Sequence, residues 1–225
     1  MGAIVNSVVV LLTGAIGLII GQRIPEKMNL AIMQGIGLVV VSIGISGVVK
    51  GENTLVLILS MVLGILIGES LDIHQRINDF IDKVTKRLSG DRDQSQFNQA
   101  FMTATMLFCI GSMAIVGSLE SGLTGDNGTL YTKSVIDGIS AILFSSSLGV
   151  GVLFSSIPLL VYQGGLILFA QLLAPLLSDA VILEMTTVGS VLLIGMGLNM
   201  LNLTDFKMMN FVPGIFIPIL LVPFF

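Results

Sequence analysis

One carboxylate stands at the head of a long uncharged stretch. Asp137, in Ser-Val-Ile-Asp-Gly-Ile-Ser, is followed by no charged residue until Asp179. A charge carried into a bilayer is expensive, so it tends to be paired or put to use. A desolvated carboxylate there could hold a cation or exchange a proton during transport. Lys133, four residues earlier, supplies the structural alternative of a pair on one helix face. Asp137 lies six residues into its expected helix, only about 9 Å from the surface by helical rise. Downstream, Ser145, Ser146, Ser147, Ser155 and Ser156 cluster with Gly149 and Gly151, and Tyr162, Gln163, Gly164 and Gly165 follow in the next helix. Polar groups and glycines at membrane depth are tolerated where backbone is broken or lines a watery cavity. Asn199 and Asn202, with Asn6 and Thr13, add hydrogen-bonding groups along a path for a small polar solute.

Other chemistry has little to work with. His74 is the one histidine and Cys109 the one thiol, which excludes an intrachain disulfide and a metal-ligand cluster. No nucleophile–base pair is evident either, so the expectation is no enzyme, no metal and no cofactor. Glu69 reads as an interfacial charge at the end of a helix. Glu120 and Asp126 read as solubilising charges of an outer loop over 118–130.

The elements that must position these groups follow from composition. Hydrophobic residues make up 54% of the 225, charged residues 11%, and mean hydropathy is +1.00. A soluble domain carries about 25% charged residues, so the class is an all-α, multipass membrane protein with the lipid bilayer as its first partner. The net charge of −4 is small and says little about partners; no nucleic-acid partner is expected. A spanning helix takes about 20 apolar residues, and eight segments qualify: 4–21, 30–49, 54–70, 99–117, 131–148, 152–174, 182–201 and 208–225. The turn between the fifth and sixth is expected at 145–151. No basic residue precedes the first apolar run, so 4–21 reads as a retained helix rather than a cleavable leader. Residues 71–98 read as a cytoplasmic amphipathic linker, with Ile73, Ile77, Phe80, Ile81, Val84 and Leu88 on one face. Pro213, Pro218 and Pro223 should kink the last helix.

With eight crossings and both termini outside, one side holds Arg23, Lys27, Arg76, Lys83, Lys86, Arg87, Arg92 and Lys207, and the other only Lys50 and Lys133. That asymmetry orients the chain by the positive-inside rule. Residues 17–25 (Gly-Leu-Ile-Ile-Gly-Gln-Arg-Ile-Pro) and 166–175 (Leu-Ile-Leu-Phe-Ala-Gln-Leu-Leu-Ala-Pro) look like copies. Each is followed by a helix with an Ile-Gly pair near its far end, Ile43-Gly44 and Ile194-Gly195, and then by a third apolar segment. The charge bias makes the copies run in opposite directions, the inverted repeat of many secondary transporters. The expected domains are a first repeat over 1–70, the linker 71–98, an inserted helix pair over 99–151 and a second repeat over 152–225. Together they form one membrane domain. Gly17, Gly21, Gly64 and Gly68, each pair spaced by four, allow close helix packing within the chain or in a homo-oligomer.

Several segments resemble the YdfK/YqgA-like family of uncharacterised bacterial inner-membrane proteins, a domain-of-unknown-function family. They are Met33-Gln34-Gly35-Ile36-Gly37, Gly68-Glu69-Ser70-Leu71-Asp72-Ile73, the block from Leu107 through Ser118 to Leu123-Thr-Gly-Asp126, then Lys133 to Gly138 and Tyr162-Gln163-Gly164. The resemblance spans nearly the whole chain and implies a multipass protein of the bacterial cytoplasmic membrane. It implies no substrate. The leading expectation is a transporter or channel-like permease for a small solute or ion. The rival is a non-transporting scaffold or sensor acting through helix packing and the cytoplasmic segment.

Overall fold

Small and polar residues point inward along these helices and large aliphatic ones point out. Along α1 (Gly2–Gly21) the buried positions are Ala3, Asn6, Ser7, Val10, Gly14 and Gly17, a stripe of three- and four-residue spacing. Ile4, Val8, Leu11, Leu12, Ile16, Ile19 and Ile20 are exposed on the other side. α3 (Thr54–Leu71) does the same, burying Val56, Ser60, Gly64 and Gly68 and exposing Leu55, Ile58, Val62, Leu66 and Ile67. This is the reverse of a water-soluble helix. It is what packing in lipid selects, because apolar side chains gain nothing by leaving hydrocarbon while small ones let backbones meet.

The computed structural model describes residues 1–21, 26–79 and 94–225, and among these it is all-helical. After α1, α2 (Glu26–Val48) and α3 come a helical stretch over 73–79, α4 (Gln94–Cys109), α5 (Ser112–Leu123) and α6 (Gly128–Leu148). α7 (Gly151–Leu168) is interrupted at Ser155; α8 (Ala170–Leu173) and α9 (Asp179–Met200) follow. Most of the amphipathic linker, 80–93, lies outside the described residues.

All eight apolar segments fall on helical structure. Among the described residues five helices are long and apolar enough to cross a membrane: Gly2–Gly21, Leu30–Val48, Thr54–Leu71, Gly151–Leu168 and Asp179–Met200. A sixth is obtained if α4 and α5, bent by 59°, make one span. The expected straight helix over 99–117 is therefore corrected. It breaks at Gly111, whose φ of +140° suits a residue without a side chain, and then continues to Leu123. The outer loop shrinks accordingly, and Glu120 is a helical residue accepting from the Thr129 hydroxyl at 2.6 Å. The turn between α6 and α7 is where serines and glycines placed it, at Gly149 with φ +93°. The proline-rich end is a 3-10 helix over Met208–Phe216, an α-turn over Pro218–Leu221 and a 3-10 turn over Val222–Phe224.

The chain forms two compact units, Met1–Met33 with Gln99–Leu176, and Gln34–Asn98 with Leu177–Phe225. These cut across the domain limits expected from the sequence, because helices distant in the chain pair with one another. In the first unit α1 runs parallel to α6: Gly2 meets Leu130, Gly17 meets Ile142 and Ser145, and Gly21 meets Ser146. It runs antiparallel to α7, with Asn6 beside Gln163 and Gly14 beside Leu153. In the second unit α2 is antiparallel to α9, Gly37 against Leu201, Gly44 against Ile194 and Gly51 against Thr187. α3 is antiparallel to the 3-10 helix, Gly64 against Gly214 and Gly68 against Asn210. The four glycines named for helix packing thus meet backbone and side chains of the same chain.

Asn210, fully buried, also accepts the backbone N–H of His74 at 2.6 Å. Burial, and then the nearby Lys207, hold the His74 imidazole below its usual 6.5, against the opposing pull of Asp205, Asp72 and Glu69.

Two predictions follow from this packing. Gly68→Ala drives a Cβ into the Asn210 carbonyl and should cost at least about 1–3 kcal/mol. Gly35→Ala, which meets nothing within 4 Å, should be neutral or stabilise by less than about 1 kcal/mol; melting of both in detergent checks this. His74 is held neutral in the folded chain, whereas the unfolded chain protonates it near 6.5. Its stabilising contribution is therefore complete above that pH and declines as pH falls through it. The drop in melting temperature between pH 7.5 and 5.5 should be smaller in His74→Gln than in the wild type.

Candidate functional site

α6 places Lys133 and Asp137 on one face, a turn apart, both at most 6% exposed. The Lys133 ammonium donates to Asp137 Oδ1 at 2.8 Å and to Oδ2 at 2.7 Å. α1 comes close enough to join them because Gly138 makes room for Val9 and Thr13, and Gly17 and Gly21 admit residues 142–146. Asn127 fixes the register by accepting the Gly2 N–H at 2.7 Å and the Ser121 hydroxyl at 2.9 Å. Asn6 Nδ2 then donates to Asp137 Oδ2 at 2.9 Å, and to Gln163 Oε1 on α7 at 3.3 Å. Asn6 and Gln163 are completely buried.

The helix begins at Gly128 rather than 131, which moves Asp137 to about 13–14 Å along it. Burying two charges costs several kcal/mol per ion unless geometry and further hydrogen bonds offset it. Two contacts from lysine and one from a carboxamide provide that here. Asn6 Oδ1, Gln163 Nε2 and Ser7 Oγ are buried with no protein hydrogen-bond partner. The arrangement has zero net charge, one spare amide acceptor and one spare amide donor.

Of the residues singled out from the sequence, the structure brings together Asp137 and Gln163. Ser145 is buried and donates to the carbonyls of Ala141 and Gly14, which ties α6 to α1. Ser146, Ser155 and Ser156 donate to carbonyls three residues back, of Leu143, Val152 and Leu153. The Ser147 hydroxyl is buried without a protein partner, and Tyr162 is half-buried next to Gln163. Asn199 lies in the other unit and shapes the loop after α9: it donates to the Phe206 carbonyl and accepts from the Phe206 N–H and the Thr204 hydroxyl.

Asp137 is also not the sole carboxylate buried in an apolar helix. Glu184 on α9 is 3% exposed, and its Oε1 accepts the N–H groups of Glu52 and Asn53 at 3.0 and 2.9 Å. It holds the two backbone N–H groups just before α3, whose first turn is capped by the Asn53 side chain, at the helix end where the dipole favours negative charge. The sequence signal that could have found it is a carboxylate two residues into the apolar segment 182–201.

Removing one partner of the ion pair tests its role in stability. Lys133→Met should destabilise by about 3–5 kcal/mol, and adding Asp137→Leu should restore most of the loss, because the isolated buried charge is what costs. Thermal melts of the single and double variants measure it.

The chain is 31% identical over 221 residues to the uncharacterized membrane protein YdfK of Bacillus subtilis, covering 96% of this chain and 93% of that one. It is 33% identical over 218 residues to the uncharacterized protein YqgA of Escherichia coli, again covering 96% and 93%. No solved structure matches. A family model described as a protein of unknown function, DUF554, matches residues 1–223, and the chain belongs to that family.

Proposed function

We propose that this protein is a permease for a small polar solute or ion, acting without a cofactor and catalysing no reaction, in the cytoplasmic membrane of a bacterium. The observation that carries the reading is the enclosed, charge-balanced cluster of Asn6, Lys133, Asp137 and Gln163 at mid-helix depth. What favours a site over mere helix packing is that a buried ion pair, linked to carboxamides from two further helices, keeps Asn6 Oδ1 and Gln163 Nε2 without protein partners.

The helix pairings support two inverted three-helix repeats. Each helix of the first packs antiparallel against its counterpart in the second: α1 with α7, α2 with α9, α3 with the 3-10 helix. Helices related by an axis in the membrane plane would run this way. The proline-rich segment is short in residues, but nine and then three of them are 3-10. At about 2.0 Å per residue in those parts it reaches about 30 Å, enough for an eighth crossing. In this topology both termini are outside. With Lys133 enclosed by Asp137, the outer loops keep Lys50 as their one basic residue of those counted. A homo-oligomer belongs to the same reading, on faces other than the glycine stripes.

Reconstitution in liposomes with a screen of ions and small metabolites tests it. Flux should appear and fall at least about tenfold in Asp137→Asn, a loss of about 1.4 kcal/mol or more; wild-type flux in that variant removes Asp137 from the mechanism. Labelling of Lys50→Cys, an exposed position, but not Ser89→Cys from outside intact cells, in a Cys109→Ala background, is expected. Labelling of position 89 would overturn the topology.

A further inference from the structure

We propose that the cluster on α1, α6 and α7 takes a small zwitterionic solute of the amino-acid type. The inference rests on the site named for transport and adds its ligand chemistry. The cluster holds one cation, one anion and two carboxamides, all enclosed. Both Asp137 oxygens accept from Lys133, and one also accepts from Asn6. A bare metal cation would therefore find Asn6 Oδ1 as its one unspent amide or carboxylate oxygen in the cluster, against the six or so that hard cations gather. A monoanion would have to draw Lys133 away and leave Asp137 unpaired at mid-helix depth, and a monocation would do the same to Lys133. Either leaves a net charge where it is most costly.

A zwitterion exchanges partners two for two. Its carboxylate replaces Asp137 on Lys133 and accepts from Gln163 Nε2; its ammonium replaces Lys133 on Asp137 and donates to Asn6 Oδ1. Those two amide atoms are the ones without protein partners. Net charge stays zero, and each spare valence of the carboxamides is filled. A glycine- or alanine-sized solute carries both charged groups with little else to place among these buried side chains.

Alanine, acetate, choline and sodium are the probes, each used in two assays on the full chain: protection against thermal unfolding in detergent, and flux into proteoliposomes. Alanine should protect and be transported, with acetate, choline and sodium at background. Flux of acetate, choline or sodium without alanine binding overturns the zwitterion assignment and leaves the permease reading standing. Alanine binding with no flux of any probe does the opposite. Neither binding nor flux overturns both.

Charge swaps sharpen the test. Asp137→Asn leaves Lys133 unpaired and should bind acetate while losing alanine affinity at least tenfold. Unchanged alanine affinity in a folded Asp137→Asn overturns the proposal. Gln163→Met, which keeps length and charge balance, gives a second arm should Asp137→Asn fail to fold. It should weaken alanine without admitting acetate, and unaltered alanine binding in it counts equally against the assignment.

Discussion

The structure depends on helices approaching one another at backbone distance. In lipid no hydrophobic force drives helix to helix, so van der Waals contact and hydrogen bonds must do it, and both need small residues at the seam. Gly17, Gly21 and Gly138 provide this between α1 and α6. Gly44 and Gly197 do so between α2 and α9, and Gly64, Gly68 and Gly214 between α3 and the 3-10 helix. The candidate site is a consequence. Asn6 has a short side chain, and it reaches Asp137 at 2.9 Å because α1 lies directly on α6. Anything larger at the glycines would part the two helices and leave the carboxylate with lysine alone.

Two buried carboxylates illustrate two ways of meeting the same electrostatic demand. Asp137 is balanced by a full positive charge one turn away and by a carboxamide from another helix. Glu184 is balanced by partial charges, the N–H groups at the start of α3. The second arrangement ties α9 to the backbone just before α3 and leaves Glu184 Oε2 without a protein partner. The first joins side chains from three helices and leaves two amide atoms without protein partners. Side-chain partners drawn from separate helices, rather than burial, mark Asp137 as the candidate working carboxylate.

Irregular backbone is concentrated where the chain must change direction or narrow. Gly111 turns α4 into α5, Gly149 separates α6 from α7, and three prolines convert the last segment to 3-10 geometry. The 3-10 form is thinner and longer per residue than an α-helix. It lets Gly214 and Asn210 lie against the glycine face of α3 without a wide cylinder between them.

Composition and periodicity were enough to establish the all-helical membrane class, because the need for apolar length is local and each segment declares it alone. Five of the eight segments, or six with the bent α4–α5 pair, were legible as long apolar helices for that reason, as were the turn at Gly149 and the proline-bent end. The i,i+4 relation of Lys133 and Asp137 could also be read along one helix. What lies across helices could not. Asn6 and Gln163 are 157 residues apart, Glu184 is 131 from Asn53, and Asn210 is 136 from His74. Which glycine faces meet each other and which side chains close around Asp137 are settled by helix pairing. Pairing is a property of surfaces in three dimensions, and no local pattern of residues encodes its partner.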